Sequence, residues 1–226
     1  MSNRTKKNAV AVSRAADAIA DFIRRDDRRP ETSRLADDLA FLRGFLTRPL
    51  EVASVAPSSV FLEQRVVQAA GLANARCVVE LGPGTGGTTR ALLRALAPQA
   101  RLLAIELNPS FCARLRRRID DARLTVQEGS AEALAEHLAQ RGLPAPDAVI
   151  SGIPFSTLPA DAAQRIAAAI HASLAPGGRF VAYQLRAHVA GYAAPRLGAA
   201  TVEWEWRNLP PMRVFRWVKP RAHGAA

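Results

Sequence analysis

One stretch, VVELGPGTGG from Val78 to Gly87, constrains this chain more than any other, because strand-forming residues pass directly into a glycine-rich loop. Glycine has no Cβ and tolerates left-handed backbone conformations, so such a loop can turn tightly and approach a ligand closely. Gly82, Gly84 and Gly86 form G-x-G-x-G, and Gly87 also completes the G-x-G-x-x-G spacing of dinucleotide-binding folds. The spacing predicts a nucleotide-type ligand and leaves its identity open.

Strands and helices alternate from this region onward. Strands are predicted over residues 77–81, 101–107, 122–129, 147–153 and 177–185, and helices over 86–97, 109–119, 130–142 and 160–175. Such alternation favours right-handed crossovers and a mostly parallel sheet covered by helices on both faces. Two last strands, over 201–209 and 212–219, alternate with period two and predict an antiparallel hairpin at the sheet edge. We therefore expect an α/β, Rossmann-like fold with a seven-stranded sheet.

The residues before this alternation predict amphipathic helices. Residues 9–25 and 33–48 both repeat apolar side chains at helical spacing, with Ser33 as an N-cap candidate and Pro49 near the end of the second helix. We predict two domains, an N-terminal helical region over 1–52 and a second domain over 53–226. The apolar stripes either pack on that domain or contact a partner.

Charge and cysteine content narrow the functional classes. The chain has 31 Lys+Arg against 20 Asp+Glu, a net charge of +11, which favours an anionic partner such as nucleic acid, an anionic membrane or an acidic substrate. Cys77 and Cys112 have no metal-ligand spacing, so we expect a reducing compartment and no metal. Neither a secretory signal nor a membrane-spanning helix is predicted, because the first thirty residues are charged throughout and no apolar stretch reaches about 18 residues.

Residues around the glycines favour a methyl donor over a dinucleotide. Glu80 precedes the loop, where a carboxylate would repel a pyrophosphate but suits the cationic amino group of a methionine moiety. Pro83 and Thr85 make the loop wider than a minimal phosphate-binding turn, and the chain ends in a hairpin instead of another strand and helix. Glu106, at the end of the next strand, is placed to hold ribose hydroxyls with either ligand.

Several segments resemble motifs of class I S-adenosylmethionine-dependent methyltransferases: VVELGPGTGGTTRALL, LLAIELNPSF, VQEGSAEAL, DAVISGIPF and LAPGGRFVAYQ. The resemblance covers about residues 55–218 and implies S-adenosylmethionine as the cofactor. The cofactor-binding residues that it implies are Ser58, Ser59, Glu80, Gly82, Pro83, Gly84, Gly86, Glu106, Leu107, Gly129, Ser130, Ala131 and Ser151. Many relatives have Asp in place of Ser130, which leaves adenine recognition open. Ser58 and Ser59 have an alternative role as a helix N-cap.

The acceptor is indicated by the fourth motif. LGPGTG and IELN also occur in ribosomal RNA adenine dimethyltransferases, in which an Asn of the fourth motif accepts hydrogens from the target amine. Gly152 stands at that position here, and an unsatisfied buried amine costs about 1–3 kcal/mol. We therefore expect no nucleic-acid partner, although methylation of RNA or of a small molecule remains the alternative function. An adaptor without catalysis is a further alternative.

SGIPF, VAPSS and NLPPMRVF resemble instead the bacterial phospholipid N-methyltransferases of the soluble, peripheral type. This resemblance implies methylation of phosphatidylethanolamine and its methylated derivatives, toward phosphatidylcholine, at an anionic membrane surface. The substrate-binding residues would be Gly152, Ile153, Pro154 and Phe155, and the membrane-binding residues Arg34, Phe41, Arg43, Phe45 and Arg48. We expect a cytoplasmic, peripherally membrane-associated enzyme and infer no obligate protein partner.

Candidate catalytic residues are Tyr183, Ser151 and Glu63. The sulfonium methyl is expected in a pocket lined by residues 151–155, where a neutral amine attacks it. Aromatic faces such as that of Tyr183 could stabilise a methylated ammonium. Glu63, Tyr183 and His188 are the candidate bases, each with a purely structural alternative, and water is another acceptor for the proton.

Overall fold

The computed structural model describes residues 58–221. The helices of this part are α1 (Val60–Ala70), α2 (Gly87–Ala95), α3 (Pro109–Arg118), α4 (Leu134–Gln140), α5 (Ala160–Ser173) and α6 (His188–Leu197). The strands are β1 (Cys77–Leu81), β2 (Arg101–Glu106), β3 (Leu124–Glu128), β4 (Ala148–Ser151), β5 (Arg179–Gln184), β6 (Thr201–Glu205) and β7 (Met212–Val218). Short 3-10 turns cover Leu72–Asn74 and Ala131–Ala133.

The seven strands form one sheet in the order β3-β2-β1-β4-β5-β7-β6. Strands β1 to β5 are parallel, whereas β7 is antiparallel to both β5 and β6. The predicted Rossmann-like α/β fold is therefore confirmed, including the terminal hairpin with β6 at the sheet edge. The strand order reverses direction between β1 and β4, and ligands of such sheets bind beyond the carboxyl ends of the strands at this point.

Alternating strand residues supply two apolar cores. Val79, Leu103 and Phe180 belong to one core, which includes residues of α4, α5 and α6. Val78 and Val181 belong to the other, which includes residues of α1 and α2. Both faces of the sheet are thus covered, so the carboxyl edge of the strands is left as the place for a ligand.

Local signals explain most element ends. Pro109 occupies the first turn of α3, where its missing N–H costs nothing, and the Asn108 side chain caps that helix by accepting from Ser110 N at 2.8 Å. The predicted helix over 130–142 begins instead as a 3-10 turn before α4. Helix α6 is not predicted by the sequence patterns above, because Gly191 and Pro195 interrupt its helical signal.

Among the described residues, no helix is long and apolar enough to cross a membrane, and no group of three or more His, Cys, Asp or Glu side chains could hold a metal. Cys77 is buried at the start of β1 as a small core residue. The predicted membrane-binding residues Arg34, Phe41, Arg43, Phe45 and Arg48, and the boundary between residues 52 and 53, lie outside the described residues.

Candidate functional site

The glycine loop leaves the carboxyl end of β1 and turns tightly before α2. Gly82, Gly84 and Gly86 all have positive φ angles, of 69°, 53° and 83°, which favour glycine over any residue with a Cβ. Gly82 N donates to Ile105 O at 2.9 Å, and Gly86 N donates to Pro83 O at 3.0 Å, so both ends of the turn are fixed. A Cβ built on Gly84 meets no atom within 4 Å, so this side of the loop is open to a ligand.

Glu106 ends β2 beside this loop. Its carboxylate accepts from Gly84 N at 3.1 Å and from Asn108 N at 3.0 Å. Burial raises the pKa of Glu106, while these backbone donors partly offset the rise. Acceptor capacity remains on this carboxylate, since a carboxylate offers about four lone-pair sites. The neighbouring Leu107 is exposed beside it.

Glu80, on β1, is fully buried and differs from Glu106 in its surroundings. Neither carboxylate oxygen has a hydrogen-bond partner among the described residues. Burial raises the pKa of Glu80 to about 8, which the neighbouring Thr89 hydroxyl only partly offsets, and the charges of Glu106 and Glu63 raise the pKa further. A buried carboxylate without a partner is costly, so this position is suited to a ligand that brings a cation.

Helix α1 places Glu63 over the start of α2. The Glu63 Oε1 atom lies 2.6 Å from the point where a Cβ on Gly87 would stand. Burial raises the pKa of Glu63, and the charges of Arg94 and Arg90 partly lower it. Glu63 and Arg94 also form an ion pair of 3.5 Å. Glu63 thus adds a second acid to the side of the sheet on which Glu80 lies.

The start of α1 shows the capping role that was one alternative for the serines. The Ser59 hydroxyl accepts from Leu62 N at 3.2 Å, which is an N-cap bond. Ser58 precedes it and is partly exposed. Ser59 N donates to Asn208 Oδ1 at 2.9 Å, so the hairpin holds the start of this helix.

Ser151, Gly152 and Tyr183 meet where β4 ends. Ser151 is buried, and its hydroxyl accepts from Ile153 N at 3.2 Å. A Cβ on Gly152 would overlap the Tyr183 hydroxyl and would lie 2.9 Å from Gly82 O. The Tyr183 hydroxyl accepts from the Thr88 hydroxyl at 3.3 Å.

The environment of Tyr183 limits its chemistry. Burial raises the pKa of Tyr183 above its usual range, and the charge of Glu80 adds to this rise. The phenol is therefore neutral at physiological pH. Tyr183 is placed to orient a group by hydrogen bonding, and a role as general base is disfavoured.

The segment after Gly152 is held by Gln184. The Gln184 side chain donates from Nε2 to Ile153 O at 2.7 Å and accepts from Phe155 N at 3.2 Å through Oε1. Pro154 O accepts from the Thr157 hydroxyl at 2.9 Å. Phe155 differs from the expectation of a substrate contact: its ring is buried in the apolar core, 6.2 Å from the Tyr192 ring. The Phe155 side chain therefore anchors the segment after Gly152 in the core.

Strand β3 is followed by a turn that contains Gly129, Ser130 and Ala131. Gly129 N donates to Glu106 O at 3.0 Å, and a Cβ on Gly129 would lie 2.7 Å from the His137 ring. The Ser130 hydroxyl accepts from Glu132 N at 3.2 Å and so caps the following turn, in which Ala131 is buried. The side chain of Ser130 is thus engaged locally, and its carbonyl oxygen accepts from Ala133 N at 3.2 Å.

His188, a predicted base candidate, is exposed at the first position of α6. Thr88, Thr89 and Asn208 were not predicted, although they contact or neighbour site residues. The two threonines follow the glycine loop directly, so their position was a signal, whereas Asn208 lies 149 residues from its partner Ser59.

Comparison with known proteins gives the family. The sequence model of a methyltransferase domain matches residues 78–178. An ornithine lipid N-methyltransferase of Singulisphaera acidiphila is 34% identical over 183 residues, which are 80% of this chain and 95% of that protein. The chain belongs to the class I S-adenosylmethionine-dependent methyltransferases. Its cofactor is S-adenosylmethionine.

Solved structures show the same fold as this methyltransferase. The O-methyltransferase TomG of Streptomyces achromogenes, in complex with SAM, has a TM-score of 0.59 at 19% identity and covers 97% of this chain and 100% of that chain. The N-methyltransferase NodS of Bradyrhizobium japonicum, in complex with S-adenosyl-L-homocysteine, has a TM-score of 0.55 at 18% identity over 72% of this chain and 89% of that chain.

Ribosomal RNA methyltransferases match a smaller part of the methyltransferase. The small subunit methyltransferase A of Bordetella pertussis is 42% identical over 79 residues, which are 35% of this chain and 28% of that protein. The small subunit methyltransferase H of Bordetella petrii is 39% identical over 83 residues, 36% of this chain and 23% of that protein. The chain thus spans about a quarter of these two relatives.

The residues present fit the cofactor. The unpartnered carboxylate of Glu80 is an acceptor for a cationic amino group. The Glu106 carboxylate has acceptor directions left for ribose hydroxyls, and Gly84 leaves the loop open beside it. A methyl group bound to a sulfonium is the electrophile that the cofactor supplies at this edge of the sheet.

Proposed function

We propose that this methyltransferase transfers methyl groups to the amine of a membrane lipid headgroup. The observation that carries the proposal is the 34% identity to an ornithine lipid N-methyltransferase, which spans 80% of this chain and 95% of that relative. The motifs of the sequence favour phosphatidylethanolamine and its methylated derivatives as the substrate, toward phosphatidylcholine. The name of the relative adds an ornithine lipid as the second substrate to test.

The residues around Gly152 favour an aliphatic amine over a nucleobase as the methyl acceptor. In the RNA enzymes that resemble this chain, an Asn at this position accepts the hydrogens of a planar amine. Gly152 leaves no room for such a side chain, because the Tyr183 hydroxyl occupies the space that a Cβ would need. A headgroup amine needs no base-edge recognition, and the Tyr183 phenol oxygen and Gly82 O are the acceptors closest to this position.

Cofactor binding is assigned to the loop and the strand ends. Glu80 would hold the amino group of the methionine moiety, Gly82, Pro83, Gly84 and Gly86 would follow its backbone, and Glu106 would hold the ribose. Leu107 and the turn of Gly129, Ser130 and Ala131 would lie against the adenine. The cofactor assignment is weaker for Ser58, Ser59 and Ser151. The hydroxyls of Ser59 and Ser151 already accept local hydrogen bonds.

The reaction itself requires few groups from the protein. The lone pair of the neutral amine forms the new N–C bond while the C–S bond breaks and its electron pair stays on sulfur. The amine bears a positive charge after the transfer and releases a proton to water before the next round. Tyr183 and Ile153 would position the amine, and catalysis would come mainly from this orientation.

The location proposed for the enzyme is the membrane surface. A lipid substrate lies in a bilayer, and the excess of 31 Lys+Arg over 20 Asp+Glu suits an anionic leaflet. We propose that the chain is a cytoplasmic, peripheral enzyme. Its N-terminal region, with Arg34, Phe41, Arg43, Phe45 and Arg48, is proposed to contribute to lipid contact, so truncation before Ala53 is expected to weaken binding to vesicles.

A methyl-transfer assay tests the proposal. Full-length protein is incubated with labelled S-adenosylmethionine and with vesicles that contain phosphatidylethanolamine, an ornithine lipid or phosphatidylcholine alone, and in parallel with ribosomal RNA. We expect label in one of the two amino lipids and in neither phosphatidylcholine nor RNA. Glu80→Gln is the inactive control, and Glu136→Gln, an exposed acid on α4, is the matched control.

The outcomes separate the functions. Label in phosphatidylethanolamine supports the finer assignment, and label in the ornithine lipid alone corrects it while the lipid function stands. Label in RNA without lipid, or in no lipid at all while the cofactor binds, shows that the lipid proposal is wrong.

A further inference from the structure

Large apolar side chains are exposed at two adjoining places on the carboxyl edge of the sheet. Trp206 is 68% exposed and Leu209 is 63% exposed, both in the turn between β6 and β7. Val60 is 54% exposed and Phe61 is 38% exposed, both in the first turn of α1. We call these four residues the apolar tip. Exposed apolar groups in one place mark an interaction surface more often than scattered single residues do.

The tip is held together by buried polar contacts. Asn208 lies between its two halves and is buried, with its Oδ1 accepting from Ser59 N at 2.9 Å and its Nδ2 donating to Pro210 O at 2.8 Å. The Arg207 guanidinium lies 4.1 Å from the centre of the Phe61 ring. The turn is therefore fixed to the start of α1, and its apolar side chains point outward from a rigid support.

The ring of Trp206 is also fixed. It stacks on the Trp204 ring at a centroid distance of 4.8 Å, and the Arg213 guanidinium lies 4.4 Å from the centre of the Trp204 ring. A tryptophan that is both exposed and oriented by its neighbours is costly in water. Tryptophan is the residue that prefers the boundary between lipid headgroups and acyl chains.

The charged side chains nearest the tip are arginines and the acids that pair with them. Glu205 is buried and accepts from Arg65 and Arg207, both at 2.9 Å, so its charge is neutralised within the protein. From Trp206 to Arg213, next to the tip, the sequence contains two Arg residues and no Asp or Glu, and the exposed Glu203 of β6 pairs with Arg65. The charge of this surface is complementary to an anionic phospholipid leaflet, whereas another cationic surface would be repelled.

The apolar tip lies at the same edge of the sheet as the candidate cofactor site. Arg213 of β7 pairs with Gln184 at the carboxyl end of β5, so the preceding turn lies at the same edge as the glycine loop. Two residues after Phe61, on the same helix, Glu63 lies beside Gly87. A surface that contacts the bilayer through the tip would bring the headgroup region close to Tyr183 and Gly152.

We propose that the apolar tip is a membrane-docking surface that inserts Trp206 and Leu209 into the headgroup region of an anionic phospholipid bilayer. The proposal rests on the proposed function, because a lipid substrate is what requires such a surface. The tip consists of described residues only and is proposed in addition to the contact proposed for the N-terminal region.

Vesicle binding by full-length protein tests this. The variant Trp206→Ser/Leu209→Ser is compared with wild type in co-sedimentation with vesicles of phosphatidylethanolamine and phosphatidylglycerol. The matched control is Val202→Ser/Val218→Ser, which removes two valines that are 45% and 46% exposed but lie on β6 and at the far end of β7. We expect at least fivefold weaker vesicle binding for the tip variant and unchanged binding for the control.

A second measurement does not depend on a variant that folds well. Wild-type tryptophan fluorescence is recorded with vesicles that contain brominated acyl chains, which quench only indoles at the membrane. We expect quenching in wild type and clearly weaker quenching in Trp206→Phe, which keeps an apolar ring and leaves Trp204 as the only indole beside the tip among the described residues. Absence of quenching in wild type shows that the proposal is wrong, as does equal vesicle binding by the tip variant.

Activity in detergent distinguishes the two proposals. With the amino lipid dispersed in detergent, the tip variant is expected to methylate at the wild-type rate, because the cofactor site is untouched. If no lipid is methylated under any condition but the tip variant loses vesicle binding, the docking proposal holds and the function is wrong. If wild type is a dimer that the tip variant dissociates, with unchanged vesicle binding, the tip is a contact between copies and docking is wrong.

Discussion

Two buried glutamates have opposite environments in this enzyme. Glu80, beside the glycine loop, has no hydrogen-bond partner among the described residues, and burial raises its pKa to about 8. Glu205, in the hairpin, accepts from Arg65 and Arg207, and the Arg207 hydrogen bond is the main reason that its pKa falls to about 2. Both are fully or almost fully buried.

The difference separates a ligand-binding group from a structural one. A buried carboxylate with two guanidinium partners has its charge compensated by the fold, so it stabilises the hairpin and needs no ligand. A buried carboxylate with no partner either takes up a proton or needs a cationic ligand to keep its charge. The absence of an internal partner for Glu80 thus points to the cofactor site more directly than the glycine spacing does.

The largest effect is expected from Glu80→Gln. The amide keeps the shape but removes the negative charge, and a charged hydrogen bond of about 3 kcal/mol corresponds to roughly 100-fold in affinity. Calorimetry with S-adenosylmethionine should therefore show about 100-fold weaker binding, while Glu205→Gln binds as wild type does. Equal losses in the two variants would remove the distinction between the two glutamates.

Calorimetry in two buffers of different ionisation enthalpy sharpens this test. With a pKa of about 8, Glu80 is mostly protonated at pH 7 without the cofactor. Binding of a cationic amino group then requires release of close to one proton. We expect this release in wild type and in Glu136→Gln, but not in Glu80→Gln. No proton release in wild type would contradict the assignment of Glu80 to the amino group.

The second effect concerns stability. Glu205→Gln should lower the free energy of unfolding by about 2 kcal/mol at pH 7, because two guanidinium groups lose their charged acceptor. Glu203→Gln is the matched control, since this glutamate is exposed on the same strand and, within residues 58–221, pairs with Arg65 alone, at 2.6 Å. An exposed pair contributes less than about 1 kcal/mol. Chemical denaturation measures both, and equal changes would show that burial of Glu205 is unimportant.

The third effect is the pH dependence of stability, whose sign should be opposite for Glu80 and for Glu205. Glu80 has a folded-state pKa above the ordinary 4.5, so folding takes up a proton and stability falls as pH rises from 4.5 to about 8. Glu205 has a folded-state pKa of about 2, so its contribution is present above pH 4.5 and is lost as pH falls toward 2. Unfolding curves of Glu80→Gln and Glu205→Gln over this range should each lose one of these dependences.

The smallest effect is expected from Ser59→Ala. Ser59 lies where the start of α1 contacts the hairpin that contains Glu205. Loss of the N-cap bond to Leu62 N should cost about 1 kcal/mol of unfolding free energy, with cofactor affinity unchanged. Thermal unfolding and calorimetry on the same variant measure both quantities. A fall in affinity without a change in stability would show that the cofactor role implied for this serine is correct and that the cap is incidental.

Much of the fold followed from local patterns. The buried strand CVVEL was predicted with the ends that it has in the structure, and the predicted helix over 109–119 begins at Pro109 as expected. The glycine loop and Glu106 were also found from the sequence, because the residues that shape a turn are neighbours along the chain. Helix α6 was missed, since Gly191 and Pro195 have low helix propensity and only packing on the core overcomes this.

The site was less predictable where it depends on distant contacts. Phe155 was assigned to the substrate wall from its place after Gly152, but its ring belongs to the core and packs near Tyr192. Asn208 had no signal at all, because its partner Ser59 lies in another element. A pattern along the chain gives the type of residue at a position but not what its side chain faces.

The sequence by itself determined the alternation of strands and helices from β1 to β5, the terminal hairpin, the glycine turn and the two acids that flank it. These depend on backbone preference and on residues close in the chain, for which physical rules are local. Only the tertiary structure decided that the Tyr183 hydroxyl fills the space beside Gly152 and that Glu205 is compensated while Glu80 is not. Those facts depend on which side chains meet across the sheet, and burial fixes their energies only once the fold has brought them together.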